Sequence, residues 1–571
     1  MPGNQRQRIS RQATLTTRVV LCLLLLLVPA GQILVHTFVG SGLWHSLGLS
    51  GPNIDGTEQA IGILWNATDN LQYTSLAIQN TLGIVFIGNL YTTESHLNAF
   101  LNLYFVGVGA LSKFLVIEPL ALMTVISFAA APIMGCMVFI ICRRQLRFAR
   151  ETSLYATAVV IFGSGPSLVL RSINWCLSAI GIEYTIPVGI DFVYNDTFPV
   201  EAFLVYPYKS GALVLQILVF SAILEALRRD LTNYSFKWII ISAAGLAVFG
   251  LVRPYETFVF SALFPATLLL SRLIRGEGLL FRFRDYLTIL ITVGPSLCYI
   301  LWLSYLPVWR TWAHTQFVME GLSRAQFMIG LSAFWAIAIV GIVRAANERR
   351  LDLLIFCLWA LSTMLLLTAF GLPVYKLAGG AVISYGILGA YGLEHLLGQL
   401  RVYLTKYRRY GLAIFRALVA TAGALCIFAT SLYSYYGMAR SDHLPRIDTE
   451  ILTAAALIKQ ESANRIRIVL AECSVGRALA ALAAARVYSG HWAMTPDYGA
   501  KCTELELAGF GEQAISAPRP GESRLGDIVA RTRPDFVVIR RGAPAERWLL
   551  DDYAVSVKMR GQRWSLLAME K

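Results

Sequence analysis

The chain has 571 residues, 56% of them hydrophobic and 15% charged, with a mean hydropathy of +0.58. A soluble domain carries about a quarter charged residues, so this balance excludes a soluble globular protein and puts most of the length into membrane spans. The sequence shows no low-complexity tract, Gly-X-Y period, sustained heptad or solenoid repeat, which excludes disordered, collagen and coiled-coil classes. The net charge of +14 raises nucleic acid as a partner, but the basic residues sit between apolar runs, where they mark cytoplasmic loops, so none is implied. Nine cysteines stand singly without a CxxC pair, so neither a zinc nor a redox motif is signalled.

In chain order, the apolar runs predict eleven transmembrane helices at roughly 18–39, 119–142, 152–171, 207–227, 238–252, 256–272, 285–306, 326–344, 352–370, 377–400 and 411–433. With that count the basic clusters fall on alternate sides. Arg6 to Arg18, Arg143 to Arg150, Arg228 to Lys237, Arg272 to Arg284, Arg344 to Arg350 and Arg401 to Arg416 share one side. By the positive-inside rule that side is cytoplasmic, which puts the N-terminus inside and the C-terminal tail outside, in the inner (plasma) membrane. The first run also fits a cleaved signal peptide, but it continues to Val39 without a convincing small-x-small site before Gly31, which favours a retained span. Spans five and six are short and joined by Arg253-Pro254-Tyr255-Glu256, a break that a bilayer tolerates only near an interface or in a protein-lined cavity.

Two regions lie outside these spans. Residues 40–118 form a long first loop in which Tyr73 to Ile87 is amphipathic enough to lie along the interface. Residues 438–571 form a tail with helical spacing at Ile451–Ile458, strands at Ile466–Leu470, Arg486–Tyr488 and Phe536–Ile539, and a helix at Ala478–Ala485. The predicted architecture is a polytopic α-helical membrane domain over 1–437, first loop included, followed by a small soluble extracytoplasmic α/β domain with a mostly parallel sheet over 438–571. Cys473 and Cys502 both fall in the tail, where an oxidising compartment permits a disulfide; their spacing alone does not decide it.

A membrane enzyme acting on a lipid-linked substrate needs acids, bases and cations at one membrane face. On this topology the external face is the acidic one, although solvated loops can be acidic too. Asp69 opens an amphipathic stretch, as a general base toward an acceptor hydroxyl or simply as a helix cap. Glu94 and His96 offer a carboxylate and an imidazole that could bind a metal, hold a sugar or satisfy a loop. Two ligands are too few to define a metal site, so a divalent cation stays open as the one cofactor to consider. Arg253 and Glu256 form either an ion pair or a functional pair. Lys376, before Leu377-Ala-Gly-Gly380, and Lys209, in Tyr206-Pro-Tyr-Lys209, can hold a lipid phosphate or snorkel to the interface. In the tail, Gly490-His491-Trp492 follows a strand; it binds a glycan, or it is a turn that packs Trp492 into the small core. Asn66-Ala-Thr and Asn195-Asp-Thr match glycosylation acceptors, a motif common by chance.

Taken together, the chain resembles a family of bacterial polytopic glycosyltransferases of the GT-C class, which take sugars from polyprenyl-phosphate carriers at the external membrane face. The resemblance runs over nearly the whole chain. It rests on Asp69 with Tyr73, Asn89 to His96, Tyr206-Pro-Tyr, Arg253-Pro-Tyr-Glu256, Lys376 before a Gly-rich span, and Val487 to Tyr498 followed by Lys501. It implies that Asp69 is the catalytic base, that Glu94 helps bind acceptor or metal, and that Arg253 or Lys376 neutralises the carrier phosphate. Tyr73, His96, Lys209, Tyr255, Glu256, His491 and Trp492 join them as binding residues. Where relatives carry His-Pro-Tyr-Asp at the broken helix this chain has Arg253 and Glu256, which leaves the roles of that pair open. The expected function is transfer of a sugar from a polyprenyl-phosphate donor to an extracytoplasmic lipid, glycan or protein acceptor. The alternative is a transporter or flippase of lipid-linked glycans, which would need charges along the spans; here they gather at one face. A non-catalytic assembly protein lacks a coiled-coil or groove-binding signature.

Overall fold

Long apolar runs become helices because only a helix satisfies its own backbone N–H and C=O groups where water is absent. The structure, a computed structural model, describes residues 21, 26, 58–60, 67–163, 167–182, 207–232, 234–277, 282–310, 324–370, 380–407, 446–463, 465–510 and 522–570. The expected spans at 411–433 and, beyond residues 21 and 26, at 18–39 lie outside these residues, as do Lys376, Tyr206, Asn66 and Asn195.

The chain divides into two compact units. The first, helical unit comprises residues 1–39, 125–300 and 317–440; the second comprises 40–124, 301–316 and 441–571. Helices run over Pro119–Ile140, continued by a π turn at Ile141–Gln145, then Arg150–Phe162, Ser167–Ala179, Pro207–Thr232, Phe236–Gly250, Pro254–Ile274, Phe283–Tyr305, Arg324–Asn347, Leu354–Phe370 and Ala381–Tyr407. Among the described residues, 4 stretches are long and apolar enough to cross a membrane: Pro119–Gln145, Tyr208–Thr232, Pro254–Ile274 and Phe283–Tyr305. At the other expected spans within the described part the helices do not meet that criterion, so eleven spans are not shown. The span expected at 152–171 divides into two helices. Gly163 is already extended (φ −62°, ψ 130°), and Pro166 disfavours helix in the residue before it.

Aromatic rings fill the core of the helical unit, with Phe220 against Phe356 at 4.9 Å and Phe260 against Trp359 at 4.8 Å between centroids. Near helix ends of the same unit a buried charge cluster forms. Arg272 bonds Asp230 and Asp285, each at 2.7 Å, and Arg275 and Arg282 also reach Asp230. The paired charges compensate one another's desolvation, which isolated buried ions could not do.

The second unit joins the first loop to the tail. Strand β1 (Glu58–Ala60) pairs antiparallel with β2 (Arg446–Asp448), in register Glu58 to Asp448. Helix Ala67–Thr81 packs on Leu103–Leu115 and on the tail helix Cys473–Leu482. The first loop, counted above with the membrane domain, thus packs with the tail. Of the stretch Tyr73 to Ile87, expected along the interface, the part up to Asn80 is instead largely buried within the protein, while Val85 and Phe86 are exposed. Leu71, Leu76, Ala77 and Ile78 are buried, as are Asn70, Thr74, Ser75, Gln79 and Asn80; the Thr74 and Ser75 hydroxyls and the Gln79 and Asn80 side-chain N–H groups donate to backbone carbonyls of the same helix.

In the tail, β3 (Ile468–Leu470), β4 (Arg486–Val487), β5 (Phe536–Arg540), β6 (Val555–Arg560) and β7 (Trp564–Met569) form one sheet in the order β4-β3-β5-β7-β6. Strands β4, β3 and β5 are parallel, as expected, but β7 and β6 add antiparallel, so the sheet is mixed. The β6–β7 hairpin escapes sequence reading because β6 carries Lys558 and Arg560 and is only partly buried. Leu470, Val537, Ile539 and Leu567 on the sheet pack with Leu505, Ile528 and Leu549 from the helices.

Candidate active site

Asp69 lies in the first turn of helix Ala67–Thr81, where the exposed N–H groups and the helix dipole favour a carboxylate. Its side chain is 27% exposed, and Oδ1 stands 3.8 Å from Nε2 of His491, which is 1% exposed. The tail loop that carries His491 is held at every turn. The Thr495 hydroxyl donates to the Tyr91 carbonyl (2.8 Å) and accepts from the N–H of Gly490 (3.3 Å) and of His491 (3.2 Å). Arg477 Nε donates to the Gly490 carbonyl at 3.1 Å. A Cβ on Gly476 would stand 2.3 Å from the Ser489 carbonyl oxygen, so this glycine lets the helix backbone meet the loop directly. The Ala493 N–H donates to Nδ1 of His491 at 3.1 Å, which places the proton of the neutral ring on Nε2, facing Asp69. Burial pushes this imidazole below the ordinary histidine range; the Asp69 carboxylate pulls the other way without overcoming it, and the Arg477 charge adds to the lowering.

The next residue does the opposite of what a core-packing turn requires. Trp492 is 42% exposed, its indole lying nearly parallel to the His491 ring at 6.1 Å. The loop buries the imidazole and presents the indole.

The segment Asn89 to His96 is fastened to the same tail loop. The Asn89 side chain donates to the Met494 carbonyl at 2.6 Å and accepts from the Tyr91 N–H at 2.9 Å, and the Val487 N–H donates to the Leu90 carbonyl at 2.8 Å. Tyr91 is fully buried with its ring 5.5 Å from that of His491; burial holds its hydroxyl well above the usual phenol range. His96 uses both ring nitrogens inside its own loop: Nε2 accepts the Asn89 N–H at 2.8 Å, and Nδ1 lies 2.8 Å from the Glu94 carbonyl. It acts as a loop staple. Burial lowers its affinity for a proton. Glu94 pairs with Lys501 at 2.5 Å; Lys501 lies over the Tyr488 ring, whose hydroxyl donates to the Glu504 carboxylate. Burial pushes the Tyr488 phenol up to about 12. Cys473 and Cys502 are bonded, tying the two helices that flank the loop. Tyr73 stacks on Phe105 at 6.0 Å, one side of the same helix pair.

The remaining expected residues belong to the helical unit. There the two motifs Tyr206-Pro-Tyr-Lys209 and Arg253-Pro-Tyr-Glu256 come together, because the Tyr208 hydroxyl donates to the Val252 carbonyl. Lys209 is buried in the first turn of its helix, and Arg253 binds Glu256 through Nε at 2.9 Å, with Pro254 opening the helix that follows. Among the described residues no three His, Cys, Asp or Glu side chains converge as a metal-ligand set, and Glu94 and His96 are engaged as above. The residues that sequence reading did not single out are Tyr91, Thr495 and Arg477. They act through ring packing, backbone bonds and charge across the chain, for which no periodicity gives a signal.

No protein-family model and no curated protein sequence matches the chain. Among solved structures the chain is similar to the oligosaccharyltransferase of Archaeoglobus fulgidus in the apo form, at 13% identity and a TM-score of 0.48, covering 90% of this chain and 69% of that one. It is similar to the oligosaccharyltransferase AglB of the same organism in complex with an inhibitory peptide and a dolichol-phosphate, at 13% identity and a TM-score of 0.47, with 90% and 69% covered. It is also similar to ArnT from Cupriavidus metallidurans bound to undecaprenyl phosphate, at 13% identity and a TM-score of 0.48, with 89% and 94% covered.

Proposed function

We propose that this chain is a GT-C type membrane glycosyltransferase that moves a sugar from a polyprenyl-phosphate donor to an acceptor outside the cytoplasm, in the plasma membrane. The observation that carries this reading is Asp69: a part-exposed carboxylate on the first-loop helix, backed by the buried imidazole of His491. As the acceptor oxygen bonds to the anomeric carbon, Asp69 takes its proton. The bond from that carbon to the carrier phosphate breaks, and its electron pair stays on the phosphate oxygen. The phosphate gains charge as it leaves, so a fixed cation lowers the barrier. The sequence pattern assigns that task to Lys209, Arg253 and Lys376; Lys209 and Arg253 stand at two helix starts of the helical unit, joined through Tyr208 and Val252. Tyr255 and Glu256 belong to the same turn, where Glu256 orients Arg253. Trp492 offers a sugar ring a flat apolar face beside His491. Glu94, held by Lys501, shapes the acceptor side.

Purified protein incubated with labelled polyprenyl-phosphate sugars and candidate acceptors tests the reading. Asp69→Asn is expected to lose about 10²- to 10⁴-fold in transfer rate while expression and thermal stability stay at the parental level. Transfer at the parental rate by this variant would show that Asp69 is not the base. Lipid-linked sugar that crosses proteoliposomes without being transferred would favour a transporter.

A further inference from the structure

We infer that His491 is a positioning residue for Asp69: its neutral imidazole, supplied by the tail, presents Nε2–H to the carboxylate and holds it in the orientation that accepts the acceptor's proton. This role deepens the transferase reading and depends on it.

Three independent observations meet at this ring. Its tautomer is set from behind, since the Ala493 N–H occupies Nδ1 and leaves the proton on Nε2. Its Nε2 is buried and has no hydrogen-bond partner among the described residues, whereas buried polar groups are ordinarily paired. The carboxylate oxygen that it faces is Asp69 Oδ1 at 3.8 Å, a few tenths of an ångström beyond hydrogen-bond length. Catalytic hydrogen bonds are often this loose before substrate binds and tighten in the complex.

Each element packed against the ring contributes to its state. Asp69 faces it from helix Ala67–Thr81, the neutral Tyr91 ring lies 5.5 Å away, and Arg477 stands behind it, bound to the Gly490 carbonyl. Burial and the Arg477 charge keep the ring neutral against the pull of Asp69. Neutrality suits the role. An imidazolium would form an ion pair that weakens Asp69 as a base, whereas a neutral N–H orients the carboxylate without that cost.

The test uses the full-length enzyme in detergent with a labelled polyprenyl-phosphate sugar, comparing the parent with Asp69→Asn, His491→Phe and His491→Gln. Removing a hydrogen bond to a charged group is expected to lower kcat of His491→Phe by about 10- to 100-fold, with KM for the acceptor within about 3-fold of the parent. His491→Gln, whose side-chain N–H can replace Nε2–H, is expected to recover at least part of that loss. The acidic limb of the kcat profile is expected to move in His491→Phe. A ring that serves only the core would lower thermal stability and active fraction while leaving the limb and the kcat per folded molecule unchanged, and that result overturns the role. Nitrogen NMR of the labelled imidazole reads the tautomer without any activity; a proton on Nδ1 overturns it as well. If the parent transfers sugar and Asp69→Asn does not, a normal His491→Phe enzyme defeats this role alone. If Asp69→Asn is as active as the parent, the base assignment fails with it.

Discussion

Replacing both Cys473 and Cys502 with serine removes a covalent tie between helices Cys473–Leu482 and Tyr498–Leu507, on either side of the loop that bears His491. The bonded residues are 29 apart in sequence. Closing a loop of that size restricts the unfolded chain by about 12 cal/mol/K, or about 3.6 kcal/mol at 25 °C. For a cooperative unit of roughly 150–250 residues, each kcal/mol moves the midpoint by about 2–4 °C, so a fall in Tm of about 7–14 °C is expected for the loop–tail unit. The assay is differential scanning fluorimetry of the full chain in detergent, with oxidised parent and double serine variant run side by side. The loss has a second expression at the site. Lys501 precedes Cys502 and pairs with Glu94, so loosening that helix also weakens the hold on Glu94 and raises KM for the acceptor before it touches the chemistry of Asp69. A shift below about 2 °C would refute the reasoning. It would mean that Leu505, Tyr488 and Phe510 already fix the helix through packing, and that the bond constrains little in the unfolded chain.

Asn89→Ala leaves the Met494 carbonyl and the Tyr91 N–H without their side-chain partner, an expected loss of about 2–4 kcal/mol read by chemical denaturation of the full chain. Arg272→Met takes the cation from buried Asp285, while Asp230 keeps Arg275 and Arg282, and is expected to cost the helical unit about 3–5 kcal/mol, seen as a lower midpoint in detergent; Arg272→Met combined with Asp285→Asn should recover much of it. His491 folds as the neutral form with its pKa held below the ordinary value of about 6.5, so its contribution to stability is complete above about pH 6.5 and is lost as pH falls through the depressed value. The parental Tm is therefore expected to drop on acidification below pH 6.5 more steeply than that of His491→Phe, measured across a buffer series.

The helices were legible because membrane runs announce themselves by composition. Phe283–Tyr305 lies within two residues of its expected span, and Pro207–Thr232 and Pro254–Ile274 contain theirs. Their breaks were less so: helix Arg150–Phe162 stops inside the run read as one span over 152–171, where Gly163-Ser164-Gly165-Pro166 carries a breaker signal. At the site, Asp69, His491 and Trp492 all stood out as residue types, but sequence could not assign which of the last two is buried. The structure reverses the core-packing expectation, because the Ala493 N–H holds the imidazole at Nδ1 and the Thr495 hydroxyl accepts from the His491 backbone N–H, contacts that no spacing in the sequence announces. Lys501 closed the tail motif in the sequence, yet its partner Glu94 lies 407 positions earlier, and no spacing rule reaches that far.

That separation has a mechanistic consequence. The first loop supplies a carboxylate and staples part of its own backbone, and the tail adds His491 toward Asp69, Met494 and Thr495 toward Asn89 and Tyr91, and Lys501 toward Glu94. The loop does not satisfy every polar group it buries by itself: Gln79 finds its partners at Ser75 and Gly88, but the Asn89 side chain donates to the Met494 carbonyl of the tail. The tail supplies that second surface: His491, 1% exposed, faces Asp69, whose own side chain is 27% exposed. A base that must lose no orientation yet still reach a soluble or lipid-borne hydroxyl needs this asymmetry. On the proposed function the tail is the back of the active site, and changes within it, such as Gly476→Ala, which would press a methyl against the Ser489 carbonyl, are expected to act on transfer as well as on folding.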